Sequence, residues 1–265
     1  MDTKRRTFLK AAGVAALAGI SAPAVTKLAE ASSSAVPAVA ENSAGTAGKI
    51  RYGMVIDMRK LYDRPDIQEK MAAACRYAHN IPTFDDPKSE IKWIWSASYE
   101  EAFPEHSSAH NAEIIEESEF LMLCNHCDNP PCVRVCPTKA TFKMEHNGIV
   151  AMDYHRCIGC RFCMMACPYG ARSFNWFEPR PHITQEINPE FPTRMRGVVE
   201  KCNFCAERLA RGEKPACQEA AAEVGAIYFG DLNDPESEVR KVLAENPTIQ
   251  RKPGLGTKPS VFYIV

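Results

Sequence analysis

Residues 124–137 read CNHCDNPPCVRVCP, and residues 157–168 read CIGCRFCMMACP. The cysteines fall as Cys124-x2-Cys127-x4-Cys132-x3-Cys136-Pro137 and as Cys157-x2-Cys160-x2-Cys163-x3-Cys167-Pro168. Three thiolates on one tight loop reach three iron corners of a cubane. The fourth sits on the following turn, points the other way and reaches a neighbouring cubane, and the proline ends that turn. Paired runs therefore exchange fourth ligands. On this spacing Cys124, Cys127, Cys132 and Cys167 form one 4Fe-4S set, and Cys157, Cys160, Cys163 and Cys136 form another.

Other thiol chemistries fit less well. Structural zinc usually joins cysteine pairs across longer loops. Disulfides suit an exported chain, but Cys-x2-Cys loops are too tight for a general framework. Covalent haem needs Cys-x2-Cys-His, whereas Asp128, Arg161, Met164 and Ala206 follow the pairs here. An exported zinc or disulfide scaffold stays as the non-redox alternative. No P-loop, dinucleotide fingerprint or nucleophile elbow is present.

Working outward, the N-terminus reads Lys4-Arg5-Arg6-Thr7-Phe8-Leu9-Lys10 before an alanine-rich stretch. This has the form of a twin-arginine (Tat) export signal over residues 1–31. The 16 residues between Lys10 and Lys27 are too few for a membrane span. Residues 32–48 read as a flexible linker, and residues 49–265 as the iron–sulfur domain. No later stretch is apolar enough to span a bilayer. Residues 1–31 carry five basic and two acidic residues, leaving 27 basic against 31 acidic. That balance argues against a nucleic-acid partner.

Between about Arg51 and Gly230 the chain resembles the electron-transfer subunits of the polysulfide reductase, tetrathionate reductase and formate dehydrogenase type. The two runs above match that family's second and third cysteine motifs, the third having the bacterial ferredoxin spacing. Cys202-x2-Cys205-x11-Cys217 matches the fourth motif except that Ala221 stands at the last ligand position. Cys75, in Ala74-Cys75-Arg76-Tyr77-Ala78-His79-Asn80, matches the last cysteine of the first motif, and residues 61–71 hold none of the other three. The resemblance implies a third set, Cys75, Cys202, Cys205 and Cys217, and the absence of a fourth. A 3Fe-4S centre on the last three, or a metal-free fourth motif, are the rival readings of this region.

The implied fold is α+β and loop-rich: two interleaved ferredoxin-like modules, 115–180 and 50–85 with 195–232, with short β-hairpins and helices. Strands are expected at Gly53–Asp57, Arg172–Phe177, Ala226–Phe229 and Ser260–Ile264. A hairpin is expected with its turn at His146-Asn147-Gly148, and a helix over Glu236–Glu245, stopped before Pro247. Trp93, Trp95, Tyr99 and Phe103 read as core aromatics, and His126 and His155 as packing or hydrogen-bonding groups. Lys139, Arg156, Arg161 and Lys201 either raise cluster potentials or are solvated surface charge.

The implied role is that of a non-catalytic electron-transfer subunit, periplasmic and attached to a membrane complex, relaying single electrons through three 4Fe-4S clusters. Within the family the likeness is greatest to the DsrO group, through Leu123–Cys132, Asp153–Cys163 and Lys258-Pro259-Ser260. That group implies a quinone-reactive membrane partner of the NrfD or DsrP kind, a multihaem cytochrome c (DsrJ-like), and sulfite or sulfur metabolism. The alternative is the iron–sulfur subunit of a molybdopterin oxidoreductase.

Overall fold

A computed structural model describes residues 49–265 apart from 107 and 109; the expected signal and linker lie outside the described residues. In chain order the elements are β1 (Tyr52–Asp57), α1 (Pro65–His79), β2 (Ile94–Ser98), α2 (Tyr99–Ala102), α3 (Glu113–Glu117) and β3 (Glu119–Leu123). Through the two cysteine runs there follow α4 (Pro131–Arg134), β4 (Thr141–Lys143), β5 (Val150–Met152) and α5 (Phe162–Met165). The remainder comprises β6 (Ser173–Phe174), β7 (Val199–Glu200), α6 (Ala206–Ala210), α7 (Ala216–Ala220), β8 (Ile227–Asp231), α8 (Glu238–Glu245) and β9 (Val261–Ile264). These short helices and small sheets are the expected loop-rich α+β fold.

The main sheet has the order β8-β1-β9, with β8 antiparallel and β9 parallel to β1. Its centre is covered on both sides, which is why Met54, Val55 and Ile56 form an unbroken apolar run rather than an alternating one. Val55 and Ile264 face α8, whose Val239, Val242 and Leu243 pack on them as one stripe. Met54 and Ile56 face the larger core with Met58, Leu61, Ile67, Met71, Trp93, Tyr99 and Phe103. Trp95 packs at the edge of that core.

α1 starts at Pro65, a residue pre-set for the first helical turn, and ends at Asn80 in the left-handed region (φ 51°). Its Ile67, Met71, Cys75 and Ala78 recur at helical spacing and are buried. The small Ala74 and Ala78 let Cys205 and Ala216 approach closely. Thus β1–β8 and α1–α7 join residues 50–85 to residues 195–232.

Residues 115–180 carry the antiparallel ribbon β4–β5 and the strand β6, which pairs antiparallel with β7 from the other module. The expected hairpin is present, but its turn is longer than the Asn-Gly pair suggested. Met144 N–H donates to Ile149 O (2.8 Å) and Gly148 N–H to Met144 O (2.9 Å), so four residues make the reversal. β6 is shorter than the expected Arg172–Phe177, because pairing with β7 ends at Phe174. β2 and β3 pair antiparallel across some twenty intervening residues. The C-terminal tail laces the two modules: Asp128 and Asn129 N–H donate to Lys258 O and Thr257 O, and Ser260 N–H donates to Asn125 O (2.8–3.0 Å).

Candidate metal centres

The twelve cysteines gather into three groups, and no two of them are joined by a disulfide. In the first, Cys127 is pushed up to about 12 by burial and then by its neighbours Cys124, Cys132 and Cys167. Cys124, Cys127 and Cys167 pack around Tyr169 and Ala171. In the second, Cys136, Cys157, Cys160 and Cys163 line one cavity with Thr138, Thr141 and Met152. In the third, burial drives the Cys75 thiol well up, and Cys205, Cys202 and Cys217 add to it. The structure thus brings together the thiols of each set read from the two runs and from the family resemblance.

Local backbone geometry repeats. The residue before the second cysteine of the first Cys-x2-Cys loop of each run is left-handed: His126 (φ 40°), Gly159 (φ 69°) and Phe204 (φ 55°). Such a conformation is costly for residues other than glycine and persists where the surroundings enforce it. His126 and Phe204 are held by stacking on each other, with ring centroids 3.7 Å apart. Val150 N–H also donates to His126 Nδ1 (3.2 Å). Three cysteine sulfurs accept backbone N–H groups: Cys136 from Thr141 (3.4 Å), Cys202 from Phe204 (3.5 Å) and Cys205 from Ala216 (3.4 Å). Burial raises the Cys136 thiol, but the N–H donors around it and the Thr138 hydroxyl outweigh it and hold the thiol below its ordinary value.

The groups form a row. Cys163 of the second group is raised by burial, eased by Arg172, and raised again by Cys132 of the first. Cys202 of the third is pushed up to about 12 by burial and next by Cys124 of the first. Cys132 of the first group packs with Cys157 and Cys163 of the second, and Cys124 of the first packs in one cluster with Cys75, Cys202 and Cys217 of the third, so the first group stands between the other two. Where a fourth group would stand, Ala221 is buried in apolar core with Leu61, Ile67 and Met71. Lys60 reaches Gly225 O (2.9 Å), and Arg64 and Lys70 pair with Glu223 (2.8 and 3.0 Å). A solid helix start replaces a thiolate loop there.

Several flanking residues behave differently from one another. Lys139, Arg156, Arg161 and His155 are exposed, so the packing role expected of His155 is absent; Lys139 and Arg156 lie on the surface, whereas Arg161 lines the second group's cavity and stacks over Trp176 (4.8 Å). Lys201 is buried, and its Nζ donates to Cys202 O (2.7 Å) and to Val150 O. Two groups had no sequence signal. Arg172 is buried beside Met152, which packs with Cys132 of the first group and Cys163 of the second. His79 Nε2 lies 2.9 Å from Glu207 Oε1, and these two converge with Cys205 within 4.8 Å.

All-thiol donor sets, left-handed loops and N–H groups aimed at sulfur suit 4Fe-4S clusters, and at the third set His79 and Glu207 converge on the Cys205 thiol. A family model described as a 4Fe-4S dicluster domain matches residues 118–180, which span the first two groups. Residues 118–180 are thus an iron–sulfur segment of the dicluster type. Relatives of the chain include the "Hdr-like menaquinol oxidoreductase iron-sulfur subunit 1" of Archaeoglobus fulgidus, 39% identical over 98% of this chain and 97% of the relative. The "Menaquinone reductase, iron-sulfur cluster-binding subunit" of Nitratidesulfovibrio vulgaris is 36% identical over 82% of this chain and 89% of its own length. A tetrathionate reductase subunit of Salmonella typhimurium is 34% identical over 100% of this chain and 89% of its own length. The chain belongs to this family of iron–sulfur electron-transfer subunits of oxidoreductase complexes.

Proposed function

We propose that the chain relays single electrons through three 4Fe-4S clusters set in the order second, first, third. The observation that carries this is the division of twelve thiols into three sets of four with none left over and with the first set in the middle. Bound in these sets, the clusters would supply one-electron chemistry at potentials tuned by charge and hydrogen bonds. The chain's own part is to hold them in line, exclude water from the inner sets and present one end to a partner.

That end is the second site. Cys136, Cys157 and Cys160 are half-buried, and Ile158, Phe162 and Met165 stand exposed around them, Met165 at 87%. An apolar cap of this kind fits a protein partner. No helix among the described residues is long and apolar enough to cross a membrane. The partner proposed here is a quinone-reactive membrane subunit of the NrfD or DsrP kind, with a DsrJ-like multihaem cytochrome c at the other end. Two relatives named for menaquinol and menaquinone support this reading. Together with the Tat-type N-terminus, this reading makes the chain a periplasmic, DsrO-like subunit in sulfite or sulfur metabolism. The tetrathionate reductase relative favours a second reading, the iron–sulfur subunit of a molybdopterin enzyme. The missing fourth thiol set weighs against it, since in the resembling family that cluster faces the molybdenum subunit.

Anaerobic affinity purification from native membranes tests the assignment. Recovery with a quinone-reactive membrane subunit and a multihaem cytochrome is the expected result. Recovery with a large molybdopterin subunit would favour the second reading, and zinc without acid-labile sulfide would end both.

A further inference from the structure

Arg172 follows the Cys167-Pro168 turn and precedes β6. It is 6% exposed. Nη1 donates to Thr141 Oγ1 (3.2 Å) and approaches Met152 Sδ (3.3 Å), while Nη2 is buried with no nitrogen or oxygen partner. Among the described residues it forms no ion pair, unlike the other buried arginine of this region, Arg194, which is 2.8 Å from Glu200. A guanidinium stays charged, and burying one without a carboxylate costs several kcal/mol unless other anions compensate. Its partners Thr141 and Met152 line the second site's cavity with Cys136 and Cys163, and Met152 packs with Cys132 of the first site, so the groups around it that can carry negative charge are sulfurs.

The third site has its own buried cation, Lys201, whose Nζ donates to Cys202 O (2.7 Å) and to Val150 O. There Glu207 Oε1 lies 2.9 Å from His79 Nε2, and both lie within 4.8 Å of the Cys205 thiol. The nearby Arg208 is already paired with Glu213 and Glu219.

A cubane with four thiolates is anionic and gains one more negative charge on reduction, so a fixed buried cation favours its reduced form. We propose that Arg172 is a positioning residue for the electron: its charge raises the potentials of the first and second clusters and leaves the third in place. This rests on the three-cluster reading above.

The test uses the full chain, purified anaerobically, as Arg172→Gln and Arg172→Lys. Iron and sulfide are counted first, and a wild type without sulfide fails the three-cluster reading and not this one. Electron paramagnetic resonance during reductive titration with dithionite then gives the potentials. In Arg172→Gln two of three potentials should fall, each by at least about tenfold in the reduction equilibrium, or about 59 mV for a one-electron couple. The remaining potential should stay in place, and Arg172→Lys should restore most of the loss. Unmoved potentials in an iron-replete Arg172→Gln chain would overturn the proposal, as would equal falls in all three. If Arg172→Gln loses iron, Arg172→Lys decides. Wild-type iron and near-wild-type potentials there support the charge, whereas iron loss in both variants makes the role structural and overturns it.

Discussion

The second and third sites hold the same four ligands in opposite surroundings. At the second, three of four cysteines are half-buried, the cap is exposed, and Cys136 is held below its ordinary pKa by N–H and hydroxyl donors. At the third, all four are buried. Burial pushes every thiol up, Cys75 and Cys205 well up and Cys217 to about 11, and a carboxylate stands close by. The contrast teaches that ligand identity does not set function here. One environment opens its end of the row directly to a partner; the other sets its end beneath a covering layer of protein.

The comparison can be broken most severely at Gly159. A Cβ there would stand 2.3 Å from Gly197 O, and φ is +69°. Gly159→Ala should therefore remove the second site's cluster while the third survives, seen as the loss of one paramagnetic centre; about 1–3 kcal/mol follows from the conformation alone. Next comes Glu200, which is fully buried and receives Arg194, Trp93 Nε1 (2.9 Å) and Asn175 (2.7 Å) beside the second module. Glu200→Gln leaves the Arg194 charge without its counter-ion. It should lower unfolding free energy by about 3–5 kcal/mol in denaturant titrations.

Exposure also orders cluster loss. Under ferricyanide with a chelator, the second site's signal should fade first and the third's last; simultaneous loss would contradict the difference in burial. The smallest effect belongs to Glu223, an exposed carboxylate held below its usual range by Lys70 and then Arg64. A depressed pKa contributes stability above the ordinary carboxylate range, and that stability is lost as pH falls through the depressed value. Glu223→Gln should change the melting temperature near the limit of detection at neutral pH and not at all in strong acid, since exposed pairs contribute little.

The two cysteine runs were legible because their geometry is local: a few covalent steps fix which sulfurs can share a loop. α8 was legible through its apolar face and the stop at Pro247 and β9 through its composition, whereas the fold class and β1 came with the family likeness. The third set was not legible locally either, since Cys75 and Cys217 are joined only by the packing of α1 on α7; it too needed the family likeness. The β2–β3 pair was unread because neither strand alternates and no short turn joins them. Arg172 and the His126–Phe204 stack carried no signal at all. A buried cation looks in sequence like any other arginine, and among the left-handed loop residues only Gly159 announces itself by type. Lys201 was read as ambiguous, and its burial is decided by residues fifty positions away, at Val150.

The central claim is that twelve cysteines make three complete sites, with Cys75 closing the third. Iron and acid-labile sulfide, counted per chain in anaerobically purified wild type and Cys75→Ala, test it directly. The expected result is about twelve of each in the wild type and the loss or conversion of one centre of three in the variant, with Ala221→Ser unchanged. Equal counts and unchanged spectra in wild type and Cys75→Ala would contradict it.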